Sequence, residues 1–167
     1  MKSKSKASKN DGGNERKKFF VAIAQDDLLM LTEILSSGAD VNCVDRDGRT
    51  PLHDTSIMNK LETARLLLEA KANVNAQDAG GWTALHFAAQ NWLPELAKLL
   101  IAHGAAVDPL DGYGNSPLFK AVFSSRGRGE LIEILLEAGA DKNLKNNHDV
   151  SPLDLAKTIA NYKIPLS

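Results

Sequence analysis

The sequence predicts an all-α solenoid: about five short helix-turn-helix units, counting both ends, joined by hairpin-like turns. Three observations predict it. "RTPLHDTS" begins at Arg49, "WTALHFAA" at Trp82 and "NSPLFKAV" at Asn115, 33 residues apart each time, and "VSPLDLAK" follows at Val150 after 35. A second segment keeps the same phase: "LSSGADVN" (35–42), "LEAKANVN" (68–75), "IAHGAAVD" (101–108) and "LEAGADKN" (136–143), spaced 33, 33 and 35. Both register the same two-residue insertion. Finally, each period carries the start and stop chemistry of two helices. A fixed period of this length marks stacked units that bury their apolar faces only against one another.

The elements follow in order within each unit. Ser or Thr before Pro or Ala is an N-cap followed by a first helical position, where proline's missing N–H costs nothing. In the third unit this places a first helix at 85–90. A second is expected at 94–102, with Leu96, Leu99 and Leu100 on one face. Gly104 supplies the left-handed residue that ends a helix. The Asp- and Gly-rich stretch 108–114 reads as the hairpin-like turn into the next unit. The predicted organisation is a disordered basic tail at 1–17 and an N-terminal capping unit at 18–47 that lacks the T-P-L-H start. Internal units follow at 48–80, 81–113 and 114–148, with a partial C-terminal cap at 149–167.

Composition narrows the class. With 167 residues, 43% of them apolar and 25% charged, the chain suits one soluble domain. Cys43 is alone, so no internal disulfide forms, and a cytoplasmic protein is expected. No apolar run approaches the roughly 18 residues of a membrane span. "FFVAIA" (19–24) is too short for a signal peptide. Residues 1–18 hold seven basic and two acidic residues, a net of +5, whereas the remainder holds 13 and 19, a net of −6. The tail has no aromatic side chain to stack a base, so nucleic-acid binding is not expected of it. A solvated arm is the plainer reading, and contact with nucleic acid or anionic lipid is the alternative.

The repeated motifs resemble the ankyrin repeat over about residues 18–163. "GWTALHFAAQ", "SPLFKAVFSSRGRGE" and "SPLDLAKTIANY" are similar to small free-standing bacterial ankyrin proteins, some of which act as immunity proteins that neutralise a toxin. The resemblance implies that Thr50/His53 and Thr83/His86 are structural pairs tying turn to helix. It also implies a non-catalytic module that binds a protein partner, a toxin domain among the possibilities, and inhibits or sequesters it. A regulatory adaptor is the other reading. No cofactor, metal or small-molecule substrate is implied, and the chain alone is expected to be monomeric. The acidic body suits a basic partner.

Candidate catalytic groups fail on spacing. No two of the four histidines stand at the i, i+4 interval of a zinc helix, no phosphate loop or nucleophile elbow is present, and Cys43 has no base beside it. Cys43 is expected to be a partly exposed thiol in a turn. Partner contacts are then expected from turn tips and the concave face, as in the resembled family. These are Arg46, Arg49, Asp54, Ile57 and Met58 in the second unit, Trp82, Gln90 and Asn91 in the third, and Tyr113, Asn115 and Phe123 in the fourth. The insertion at 125–129 adds Arg126 and Arg128. Trp82 reads as a contact or as packing between units, and Trp92 as a contact or as a ring folded over its turn.

Overall fold

A computed structural model of the chain describes residues 11–159. Among them are nine helices: α1 (Asp11–Gln25), α2 (Leu28–Ser36), α3 (Pro51–Met58), α4 (Leu61–Glu69), α5 (Ala84–Gln90), α6 (Pro94–Ala102), α7 (Pro117–Ser124), α8 (Glu130–Glu137) and α9 (Pro152–Thr158). The odd-numbered helices pack successively on one another as an inner row, and the even-numbered ones form a second, outer row. Each outer helix also packs on its own inner helix. The chain is an all-α repeat solenoid.

The stacking distance is set by small residues. Ala22, Thr55, Ala88, Ala121 and Ala156 recur at one repeat position, all buried, so successive inner helices approach closely. Leu52, Leu85 and Leu118 recur beside them and fill the core, with Leu67, Leu100 and Leu135 contributed by the outer row. Each such leucine contributes about 1.5–3 kcal/mol by leaving water. The caps follow the sequence. Thr83, Ser116 and Ser151 precede their helices, and each hydroxyl accepts from the backbone N–H three residues on, at 3.4, 3.3 and 3.1 Å. Outer helices end in left-handed residues at Gly38, Lys71, Gly104 and Gly139, a position where lysine stands once in place of glycine.

Three expectations change. Residues 11–17 belong to α1 and not to a disordered tail, and Arg16 is only 5% exposed. Tail composition hides this because Arg16 stands 33 residues before Arg49 and occupies the same place in the repeat. Residues 1–10 of the predicted tail, and 160–167 of the predicted C-terminal cap, lie outside the described residues. Cys43 is buried, and burial pushes its thiol up to about 11, so it is no exposed thiol. Asp54 and Asn115 are also buried, for reasons of unit-to-unit pairing given below.

Candidate protein-binding surface

The hairpin turns form a continuous edge. In each turn one carboxylate or amide oxygen accepts two backbone N–H groups. Asp45 accepts from Asp47 and Arg49, and Asp78 from Gly80 and Trp82. Asp111 accepts from Tyr113 and Asn115, and Asn146 from His148 and Val150, all at 2.8–3.1 Å. Adjacent turns are then joined backbone to backbone: Ala79 N–H to Asp47 C=O, Gly112 N–H to Gly80 C=O, and Asn147 N–H to Tyr113 C=O. The edge is rigid because few of its polar backbone groups are left to water.

The histidines lock this edge to the inner helices. The Nδ1 of His53 accepts from the Thr50 N–H at 3.0 Å, so the proton sits on Nε2, which donates to the Trp82 carbonyl of the next unit at 3.0 Å. His86 repeats the arrangement, accepting from Thr83 N–H at 3.1 Å and donating to the Asn115 carbonyl at 3.0 Å. Both ring nitrogens are therefore occupied by backbone. Burial lowers both pKa values, that of His86 to about 4. In a neutral imidazole held this way the lone pair is taken by one backbone N–H and the ring proton by one backbone carbonyl.

Between these anchors runs a column of pairs that link each unit to the next. Arg16 lies 2.6 Å from Asp54, and its Nε donates to the Arg49 carbonyl at 3.1 Å. Burial raises the Asp54 pKa, and the adjacent guanidinium opposes that rise. One unit on, Arg49 lies 5.5 Å from the Phe87 ring centre and 3.5 Å from Asp78. One further on, Trp82 replaces arginine, and Lys120 sits 4.2 Å over its ring while pairing with Asp111 at 2.8 Å. Burial acts upward on Asp111, but Lys120 and the N–H groups of Asn115 and Tyr113 outweigh it and hold the carboxyl below its usual range. Trp82 also packs on Phe87, with ring centres 4.8 Å apart. An ion pair and two cation–π contacts thus occupy one recurring junction.

This column corrects part of the expected contact set. Asp54 is 4% exposed and spent on Arg16. Asn115 is buried, with its carbonyl held by His86 and its side-chain oxygen accepting from Asn146 Nδ2. Arg49 and Trp82 are half-buried and occupied by Phe87 and Lys120. Phe87 and Lys120 were missed. They share the repeat position of Asp54, at 54, 87 and 120, and reading that column down the sequence would have found them.

The other expected residues lie open. Tyr113 is 67% exposed on its turn tip and Phe123 64% exposed at the end of α7, while Ile57 (37%) and the half-buried Met58 end α3. Arg46 is exposed on the first turn tip. At the opposite end of the inner helices, Gln90, Asn91, Trp92, Phe123, Arg126 and Arg128 line an open cleft of about 410 Å³. Trp92 is buried, holds φ +56°, and has the Arg128 guanidinium 4.4 Å over its ring. Asn91 Nδ2 donates to the Ser56 carbonyl at 3.1 Å, tying this end of α5 to α3.

Charge is segregated between the two rows. The outer helices α2, α4, α6 and α8 carry seven glutamates against Arg65 and Lys98. The inner helices α1, α3, α5, α7 and α9 carry four acidic residues (Asp11, Glu15, Asp54 and Asp154) against five basic ones (Arg16, Lys17, Lys18, Lys120 and Lys157), a net of +1. Much of the body's acidity is therefore on the outer row. Among the described residues, no group of three or more His, Cys, Asp or Glu could hold a metal, and no helix is long and apolar enough to cross a membrane.

A repeating helix pair, a bonded hairpin edge and a row of stacked inner helices define a repeat scaffold. The model of the ankyrin-repeat family (three copies) matches residues 19–111 and 73–146, and the chain belongs to that family. Ankyrin repeats are generally protein–protein interaction modules, typically non-catalytic. No curated protein matches the chain.

Proposed function

We propose that this protein binds a partner protein along its inner helices and turn tips, and acts by covering the partner's working surface. The supporting observation is the set of large apolar side chains left over after the unit-to-unit column is filled. Tyr113, Phe123 and Ile57, with Phe20 and Val21 of α1 and Val44 and Leu110 of the turns, are exposed on the inner helices and their turns, and Met58 is half-buried beside Ile57. Scattered exposed apolar residues are ordinary, but aromatics on a rigid scaffold are the side chains that carry most binding energy at interfaces. Inhibition or sequestration is the way such a scaffold would act on its partner, the His86 ring nitrogens being engaged by backbone. Neutralising a toxin would be one instance of it. The acidic charge lies largely on the outer row, so attraction to a basic partner is not what supports this reading.

The test uses the full chain as bait in its native source, beside a Tyr113→Ala/Phe123→Ala double variant. A partner retained by the first and lost by the second, and inhibited when the chain is added back, is the expected result. Equal retention by both baits removes these two residues from the interface. The tail reading makes a different prediction, retention that vanishes when residues 1–10 are deleted and falls steeply with salt.

A further inference from the structure

The cleft at the helix-to-helix turns differs in chemistry from the rest of the inner face. It is lined by two guanidiniums, two amides and an exposed phenylalanine, with no carboxylate among its lining residues. Neither Arg126 nor Arg128 makes an ion pair with a described residue, although the chain is acidic beyond residue 18. Arg128 is also held in place. Its guanidinium stacks on Trp92 at 4.4 Å and its Nε donates to the Ser125 carbonyl at 3.1 Å, which leaves its two terminal amino groups for a ligand. The insertion creates this arrangement. The links between α1 and α2 and between α3 and α4 hold two residues, that between α5 and α6 holds three, and that between α7 and α8 holds five. The added residues carry both arginines.

We propose that this cleft receives an Asp- or Glu-bearing segment of the bound protein. The carboxylate is held by Arg126 and Arg128, and a neighbouring apolar side chain packs on Phe123. A guanidinium presents paired N–H donors that match both oxygens of a carboxylate, and two guanidiniums without a carboxylate partner among the described residues, that of Arg128 held by Trp92 and Ser125, favour a complementary charge over water. The Gln90 amide across the cleft supplies polar contacts to the peptide backbone beside it, while the Asn91 amide nitrogen is held by the Ser56 carbonyl. A carboxylate differs from a bare anion in that it arrives attached to chain, and Phe123 is placed to read that attachment. This inference rests on the protein-binding reading and names the chemistry of one part of the partner.

The experiment titrates the isotope-labelled full chain with a short peptide alternating Glu and Leu. Its Lys/Leu counterpart, inorganic phosphate and a short oligothymidylate are run beside it, and the Trp92 indole and the Gly127 and Gly129 amides are followed by NMR. The expected result is a salt-sensitive shift of these signals with the Glu peptide alone. Arg126→Asn with Arg128→Gln should then weaken that peptide by about tenfold or more, the loss expected of a charge-assisted pair. Asparagine at 126 tolerates the φ of +50° there, and an otherwise unchanged spectrum establishes that the variant is folded. Equal binding of the Lys peptide overturns the proposal. So does displacement by phosphate or oligothymidylate at equal concentration, which would mark a general anion site or a nucleic-acid site. Should the double-arginine variant keep full affinity for a captured partner, the cleft fails and protein binding stands. Should a Tyr113→Ala variant keep it while the double-arginine variant loses it, the cleft stands and Tyr113 lies outside the interface, Phe123 being common to both surfaces.

Discussion

The two ends of the inner helices are built on opposite rules. At the hairpin end every unit repeats the same bonds: an Asp or Asn spanning the turn, a left-handed residue at 48, 81, 114 and 149, and a backbone link to the next turn. At the helix-to-helix end every unit differs. The left-handed position there is Asp26, Asn59, Trp92, and then Arg126 followed by Gly127. A bulky residue such as tryptophan at positive φ is costly, and it persists only where surrounding contacts hold it. Repetition therefore marks the end that carries the fold. Variation marks the end free to be particular to this protein.

Several measurements would break or sharpen that contrast, and the largest effects belong to the regular end. Arg16→Ala should cost about 3–5 kcal/mol in chemical denaturation, because it strands Asp54 in a buried place without its cation. A loss under 1 kcal/mol would return residues 11–17 to the status of a loose tail. Acid should act nearly as strongly. The unfolded chain protonates His86 near 6.5 and the folded one only near about 4, so stability is complete above the first value and falls between the two. That group alone accounts for about 3 kcal/mol by pH 4. Denaturation curves collected from pH 7 to 4 should show the slope, and His86→Gln should be less stable at pH 7 with a flatter slope, so that the gap to the wild type narrows by about 3 kcal/mol toward pH 4.

Smaller changes test the turns themselves. Gly114 has φ +76°, and a Cβ there would stand 2.6 Å from Asn147 Oδ1 and 2.8 Å from its backbone nitrogen. Gly114→Ala should cost about 2–4 kcal/mol, the left-handed penalty plus displacement of the next turn. Asp149 takes the equivalent conformation without glycine, and no further turn stacks on it among the described residues. Lys71→Gly should go the other way, raising stability by about 0.5–1 kcal/mol, since the same position is glycine at 38, 104 and 139. A melting temperature unchanged by this substitution would mean that unfolded-state entropy cancels the relief. Smallest of all, Tyr113→Ala should alter stability by less than about 0.5 kcal/mol, as an exposed turn-tip residue does. A loss like that of a core residue would show that its ring packs.

Much of the fold is legible in the sequence. The predicted helices 85–90 and 94–102 match α5 and α6 to within a residue, because N-cap chemistry, a leucine stripe and a terminal glycine agree on the same boundaries. Which side chains stay open is less legible. Arg49, Asp54 and Trp82 look like free turn and helix residues one unit at a time, yet each is taken by a residue one unit away: Phe87, Arg16 and Lys120. Tyr113 and Phe123 look no different in sequence and remain open.

The sequence by itself determined the repeat. Period, caps and apolar stripes are local chemistry that each unit carries within its own length, and stacking is the one way such units bury their faces. Only the tertiary structure decided which polar and aromatic side chains are available. Positions 54, 87 and 120 are equivalent, but they hold an acid, an aromatic ring and a base, each matched to position 16, 49 or 82 of the unit before. Whether a side chain is spent or free depends on that neighbour across the junction, and the contact exists only once the units are stacked.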